Sequence, residues 1–442
     1  MGGAARTYTE GMGEIRRLFL DNAATSSPKP RAVIEAMVDY ATRLGGSPGR
    51  GAYYEAQETG RLIERCRRRI GELIHAEGRP EQVVFALNCS DALNLAIKGV
   101  VLDRLVREPG KGAHVVTTAL DHNSVLRPLN ELVRRYPERV RQTRVAADAR
   151  TGLVDPAEIA RAIDARPETV LVAVNHASNV TGVVQDAAGI GAVCGARGVT
   201  FLLDAAQSLG HIPVDVGAIG ADLLAFPGHK GLLGPSGTGG LYIRPGVEER
   251  MLSLREGGTG SRSERDTQPG ELPDKYEPGS PNAMGIVGLS EGVRWLLEYS
   301  NAGKKGMEAV AAHERGLMGV FVEALGFSGV GVQESLSVRA PNAPGLTLHG
   351  PASVRGRVGV FSVTVDGMAP QEVAGVLESH FGVLTRAGVH CAPLAHAALG
   401  TTAGGGATRL SLGPTLTEED VRHAAGALVE IAAESGAGVG KR

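Results

Sequence analysis

The chain has 442 residues, 43% of them hydrophobic and 21% charged, with a formal net charge of −2. That balance is ordinary for a folded globular protein and offers no basic field for nucleic acid or an anionic membrane. No apolar run reaches the ~18 residues that a membrane span needs, and the 62 glycines are dispersed, so collagen-like and low-complexity readings fail.

The N-terminus, MGGAARTYTEGMGEIRR, lacks the apolar core of a signal peptide. Residues 1–14 read as a loose tail and the protein as cytoplasmic. Residues 15–30 are expected to pack on a small domain, and 31–300 to form a large one. Candidate strands follow at VVFAL (83–87), HVVTT (114–118), VLVAV (170–174), TFLLD (200–204), DLLAF (222–226) and GGLYI (239–243). Between most of them lie helical patterns, as at Asn123–Tyr136, Pro156–Ala165 and Ala187–Ala196. This alternation predicts an α/β fold, a mostly parallel sheet with helices on both faces. Gly257–Pro281, rich in Gly, Pro and charge, reads as a long surface loop, and Gly285–Tyr299 as a helix. From about Asn301 the pattern becomes a small α+β domain, 301–434. It holds a helix (Met307–Leu325), a strand (Arg357–Val365), a helix (Gln371–Phe381), a loop and a last helix (Glu418–Ala433). Residues 435–442 read as a frayed end.

Ligands of such sheets sit beyond the carboxyl ends of the strands. The polar residues gather there: Asn88-Cys89-Ser90-Asp91, Asp121-His122, Asn175-His176, Asp204 and Gly228-His229-Lys230. A lysine among glycines is most often a loop lysine. Lys230, however, follows an apolar strand, and a desolvated lysine has a lowered pKa and forms a Schiff base with an aldehyde. The flanking glycines are expected to let the backbone approach a bulky ligand. An aspartate ending a strand, as Asp204 does, can simply cap the next helix. Its position 26 residues before Lys230 instead suits two groups at one sheet edge. Pyridoxal phosphate needs both: an amine for its aldehyde and a carboxylate that keeps the pyridine nitrogen protonated. Gln207 is then placed to reach the ring's phenolic oxygen. Cys89 and Ser90, at the start of a helical pattern, suit the phosphate, although a Ser-Asp pair opens many helices without a ligand. His122 offers a ring to stack on a flat cofactor; a lone histidine is more often structural.

The four cysteines, Cys66, Cys89, Cys194 and Cys391, are widely spaced without a C-x-x-C pair. Neither a metal site nor a disulfide framework is indicated. Cys391 lies in the Gly/Ala/Pro loop RAGVHCAPLAH, beside His390 and five residues after Arg386, a setting for a reactive thiolate. Arg386 and Arg409 together could clamp a carboxylate.

LDNAAT (20–25), the Cys-Ser-Asp turn, Asp121-His122, HASNVTG (176–182), DAAQ, GHK and R-x-G-x-H-C-A together resemble the pyridoxal-phosphate enzymes of aminotransferase class V. Within that class they resemble the group II cysteine desulfurases and selenocysteine lyases. The resemblance runs from about residue 18 to residue 433. It implies fold type I and a homodimer with active sites near the subunit interface. It also implies that Lys230 is the aldimine lysine and the base at Cα, that Asp204 pairs with the pyridinium and Gln207 with the phenolic oxygen, and that His122 stacks on the ring. By the same resemblance Asn179 is expected near substrate and ring oxygen, Cys89, Ser90 and His229 at the phosphate, and Arg409 with Arg386 at the substrate carboxylate. Gly279-Ser280 match a pair that in the family reaches the neighbouring subunit's phosphate, and Cys391 is the expected sulfur acceptor. Three features depart from the family pattern: Pro227 replaces the usual serine before Gly-His-Lys, Cys89-Ser90 replace paired threonines, and REGGTGSRSERD is unusual.

The reading is thus a desulfurase that turns L-cysteine into L-alanine and carries the sulfur as a Cys391 persulfide, with a sulfur-acceptor protein as a further partner. Rivals on the same scaffold are selenocysteine lyase, transamination and C–S β-elimination. An inactive scaffold of a sulfur-transfer complex is the non-enzymatic rival. A nucleotide-binding reading of GPSGTGG fails for want of the lysine-hydroxyl pair.

Overall fold

Leu202 and Leu203, neighbours in the strand Thr200–Asp204, point to opposite faces of one sheet, and both are fully buried. Leu202 packs with Ile97, Val101, Val125 and Leu129 from helices Cys89–Arg107 and Asn123–Arg135. Leu203 packs with Ile70, Ile190, Leu289 and Val293 from the helices on the other side. A sheet buried on both faces explains why its strands read as continuous apolar runs. The computed structural model describes residues 16–48, 51–262, 264–328 and 335–439; the tail expected at 1–14 lies outside them.

The sheet has seven strands. In spatial order they are Val83–Ala86, Gly239–Ile243, Leu223–Pro227, Thr200–Asp204, Thr169–Asn175, Ala113–Thr118 and Val140–Val145. Only Gly239–Ile243 runs against the rest. The fold is therefore the expected α/β arrangement of pyridoxal-phosphate fold type I, with a mostly parallel sheet. The strand Val140–Val145 escapes the sequence reading. At the sheet's edge its middle residues, Arg141 to Arg144, are partly or fully exposed, and VRQTRV carries little apolar signal.

A second sheet has five antiparallel strands in the order Ser337–Arg339, Leu346–His349, Val360–Val365, Ala407–Ser411, Arg386–Gly388. Helices Met307–Ala324, Pro370–Phe381 and Glu418–Val439 accompany it, and Phe321, Leu348, Phe361, Leu410 and Leu428 fill its core. The N-terminal strand Leu18–Phe19 pairs with Val383–Leu384, and Leu20 joins the same core. Two boundaries differ from expectation. The strand foreseen from Arg357 begins at Val360, because Arg357 is turned inward and its guanidinium serves the carbonyls of Pro351 and Val360. The last helix continues into the expected frayed end as far as Val439, with no proline to stop it; residues 440–442 lie outside the described residues.

The described residues of the segment 257–281 form no helix or strand, and most of those up to 270 are exposed, as expected. Its second half is not a free surface loop. Tyr276 is buried and donates its hydroxyl to Met251 O at 2.8 Å. Glu277 takes both Nη1 and Nη2 of the buried Arg67, at 2.8 and 2.6 Å. None of the described helices is long and apolar enough to cross a membrane.

Candidate active site

Four strands of the large sheet end at one cavity of about 280 Å³. Asp204 and Asn175 are the last residues of their strands, Pro227 ends a third, and Asn88 follows a fourth. The wall also includes Cys89, Ser90, His122, Ser124, Asn179, Gln207, His229 and Lys230. Every cofactor-binding residue expected from the sequence is thus gathered here except Gly279 and Ser280. Those two line a separate cavity of about 700 Å³ beside Arg67, Phe85 and Tyr276. Ser124 was not named in the sequence reading, where its one signal is its place two residues after His122, and Asn175 was named only among the polar residues at strand ends, without a role.

Lys230 carries the site's amine. Burial depresses its ammonium below the ordinary range, and the charges of Arg409 and Arg386 push the same way against Cys89 and Asp204. Asp204 is 4% exposed. Its Oδ1 accepts the Ala206 N–H at 3.0 Å and faces Cys89 Sγ at 3.5 Å, while no described residue bonds Oδ2. Burial raises its pKa, opposed by the Ala206 N–H, Lys230 and Cys89. A buried carboxylate without an ion-pair partner is a fitting counterpart for a protonated ring nitrogen.

His122 caps the helix Asn123–Arg135: its Nδ1 accepts the Ser124 N–H at 3.1 Å, so the neutral ring carries its proton on Nε2. Burial, then the charge of Lys230, holds it down to about 4. Beneath it Asp121 is fully buried and accepts the N–H groups of Thr118 and Asn175, tying the turn to the neighbouring strand. Burial pushes Asp121 up to about 7. Next to this turn, Asn88 caps the helix Cys89–Arg107 by accepting the Asp91 N–H, and Ser90 Oγ meets Ser124 Oγ at 2.6 Å. Cys89 was expected at a phosphate, but its sulfur is turned to Asp204; what it presents to an anion is the N–H of a helix's first turn. His229 has a buried Nδ1 with no partner among the described residues. Its carbonyl receives the Ser26 N–H at 2.9 Å and the Lys29 ammonium at 2.8 Å, which ties the LDNAAT segment to the lysine loop. Gln207 donates Nε2 to Ala23 O at 3.0 Å.

The glycines beside Lys230 have a different purpose from the one expected. A Cβ on Gly231 would lie 2.3 Å from Leu209 O, and one on Gly228 would lie 2.1 Å from Thr238 Oγ1. They let protein pack against protein around the lysine, which fixes its loop.

Cys391 and the two arginines stand outside the cavity wall, but the Cys391 turn and Arg409 are bonded to the wall residue Asn179. The Asn123 N–H donates to Cys391 O at 2.9 Å, and Asn179 Nδ2 donates to His390 O at 2.7 Å. Both His390 (φ 50°) and Cys391 (φ 57°) are left-handed, a strained pair for non-glycine residues. Arg386 Nη2 lies 3.8 Å from Cys391 Sγ. Cys391 is partly exposed, whereas Cys66, Cys89 and Cys194 are buried, and burial pushes Cys66 and Cys194 up to about 12. Arg409 is only 1% exposed. It holds Asp21 at 2.7 Å through Nη2 and Asn179 O at 3.3 Å through Nη1, and its Nε has no described partner. The sequence reading offered Arg409 to a substrate and did not foresee Asp21, though Asp21 lies inside the LDNAAT motif.

Residues 18–423 match the model of the family described as aminotransferase class-V. The chain belongs to that family. A probable cysteine desulfurase of Methanothermobacter thermautotrophicus is 34% identical over 420 residues, 94% of each chain. The cysteine desulfurase IscS of Neisseria meningitidis is 31% identical, covering 92% of this chain and 90% of its own. Among solved structures, the apo cysteine desulfurase of Thermococcus onnurineus superposes with a TM-score of 0.80 at 29% identity, covering 95% of each chain. The cysteine desulfurase CsdA of Escherichia coli gives 0.76 at 26% identity, over 94% of each. The family implies pyridoxal phosphate, and the cavity fits it: an amine whose pKa burial lowers, a buried carboxylate lacking a cation, and a helix start with a neighbouring unpartnered histidine nitrogen stand around one space.

Proposed function

We propose that the chain is a pyridoxal-phosphate-dependent cysteine desulfurase, which converts L-cysteine to L-alanine and takes the sulfur onto Cys391 as a persulfide. One observation carries this reading: the turn holding a partly exposed cysteine is hydrogen-bonded to Asn179, in the wall of the cavity that holds Lys230 and Asp204, and to Asn123, between the wall residues His122 and Ser124. The R-x-G-x-H-C-A motif supports the finer placement among group II enzymes.

Lys230 would hold the cofactor aldehyde, Asp204 would face the ring nitrogen through Oδ2, and His122 would cover the ring. Asn179 and Gln207 would stand near the ring oxygen, and Ser90, His229 and the Cys89 N–H at the phosphate. Bound there, pyridoxal phosphate supplies a carbon that takes the substrate amine and an electron-poor ring that makes the Cα proton acidic. Lys230, whose pKa burial lowers, takes that proton. Arg386, with Arg409 behind it, orients the substrate carboxylate. Cys391 thiolate then forms a bond to the substrate sulfur. The Cβ–S bond breaks with its electron pair left on carbon, the carbon is protonated, and alanine leaves. The balance is one cysteine and one Cys391 thiol giving one alanine and one persulfide. The reacting sulfurs must come within ~3–3.5 Å, which a pre-docked turn favours.

The expected division near Asn301 suits this scheme: 31–300 carries the cofactor groups, and 301–434 carries Cys391. A homodimer is part of the same proposal. The large apolar side chains Ile34, Val38, Tyr53, Tyr54 and Leu87 are exposed, and Gly279-Ser280 lie away from this chain's own Lys230 cavity. A sulfur-acceptor protein and a cytoplasmic setting complete it.

Product analysis tests the proposal. With cysteine, the wild type should yield alanine, and Cys391→Ala should keep its cofactor and lose alanine formation. Pyruvate and ammonia as products, or alanine formed equally well by Cys391→Ala, would overturn it. Selenocysteine turnover that persists in Cys391→Ala, without cysteine turnover in the wild type, would assign the lyase instead.

A further inference from the structure

The structure turns a second cysteine onto the carboxylate that faces the cavity. Cys89 is the first residue of the helix Cys89–Arg107 and is buried, with its Sγ 3.5 Å from Asp204 Oδ1. That separation is ordinary for a sulfur donor. The same oxygen accepts the Ala206 N–H at 3.0 Å. Two donors converging on Oδ1 fix the carboxylate's rotation and leave Oδ2 for the cavity, which Cys89 and Asp204 both line.

We propose that Cys89 is a positioning residue: its S–H holds Asp204 so that Oδ2 meets the cofactor's ring nitrogen. This rests on the pyridoxal-phosphate reading of the cavity. Burial, reinforced by the charge of Asp204, pushes the Cys89 thiol well above its ordinary range, so it stays protonated and donates. It is accordingly no second nucleophile and no rival to Cys391 as a sulfur carrier. A thiol is a weak donor beside a hydroxyl. Cys89 therefore orients the carboxylate while drawing little charge from it, and the negative charge remains available to a protonated ring nitrogen. A hydroxyl at this position would pull harder on Oδ1. That is the chemical consequence of cysteine standing where the family pattern has threonine.

The test compares cofactor affinity on apoprotein, read by absorbance or fluorescence, for wild type, Cys89→Ser and Cys89→Ala. Two probes are used: pyridoxal phosphate, and its carbocyclic analogue with the ring nitrogen replaced by C–H. With pyridoxal phosphate, Cys89→Ala should bind about five- to tenfold more weakly, the loss expected for one hydrogen bond of ordinary strength. Cys89→Ser should bind within about threefold of wild type, because a donor is retained. With the analogue the Cys89→Ala deficit should vanish, since no ring nitrogen is left for Asp204 to meet. An equal deficit with both probes would mean that Cys89 only fills space, and unchanged affinity in Cys89→Ala would mean that the contact does nothing; either result overturns the inference. A wild type that takes up neither probe would overturn the cofactor reading, and the inference with it.

Discussion

Arg409 shows how a single side chain is committed before substrate arrives. Its guanidinium is buried, with Asp21 on Nη2 and a carbonyl on Nη1. Burial lowers its pKa, and Asp21 opposes that shift. A substrate carboxylate would meet a group already oriented by Asp21, with Nε still unpartnered among the described residues. Arg409→Lys keeps a charge but loses the planar fork. Steady-state kinetics should show KM for cysteine raised about tenfold or more, with a smaller change in kcat. An unchanged KM would remove Arg409 from carboxylate binding. At this scale the sequence was informative where chemistry and strand ends coincide. Lys230 and Asp204 stood out because each closes or follows an apolar strand. Asp21 and Arg409 meet across 388 positions, and no local pattern reports such a contact.

The Cys391 turn is held by an element of its own. The helix Pro393–Ala398 brings the fully buried His396 against His390, with Nε2 to Nδ1 at 3.1 Å; His396 Nδ1 meets Thr401 Oγ1 at 2.8 Å. His390 Nε2 lies 3.2 Å from Arg386 O. One proton arrangement satisfies the chain: Thr401 donates to His396, His396 to His390, and His390 to the Arg386 carbonyl. This chain and the bonds from Asn123 and Asn179 over-determine two left-handed residues that would otherwise relax. His396→Ala leaves a buried ring nitrogen unsatisfied, at a cost of about 1–3 kcal/mol. Iodoacetamide should alkylate Cys391 faster in that variant, while cofactor uptake is unchanged. Alkylation at the wild-type rate would show that the turn needs no such support. The motif marked this loop as special, but nothing in RAGVHCAPLAH told that His396 faces inward, because five residues of turn and helix separate the two histidines. Likewise the edge strand Val140–Val145 was illegible, since its exposed arginines and glutamine mask the alternation.

For the whole molecule, the α/β pattern and the carboxyl-edge site were legible because a doubly covered sheet writes itself as apolar runs. The anchoring of Tyr276 and Glu277 was not, because a Gly/Pro-rich stretch reads alike whether it is free or pinned. The fold also buries many neutral histidines. His122, His176, His229, His349 and His396 are held down to about 4, and His390 to about 3, with burial the first cause in each. Each binds a proton more readily when unfolded. Their stabilising effect is therefore complete above about 6.5 and is lost as pH falls towards 4. Asp121, Asp204 and His211, all raised, act in the opposite direction but are fewer. Thermal melts of the apoprotein should show Tm falling steadily from pH 7 to pH 4.5; a flat profile would mean that these rings are hydrated.

The central claim, that sulfur passes from substrate to Cys391, is tested most directly by one measurement. The pyridoxal-phosphate-loaded protein is given cysteine labelled with a heavy sulfur isotope, quenched within a turnover, and the Cys391 peptide is weighed. The account predicts one labelled sulfur atom on Cys391 for each alanine released. Alanine released while Cys391 stays unmodified, or label found on Cys89 instead, would contradict it.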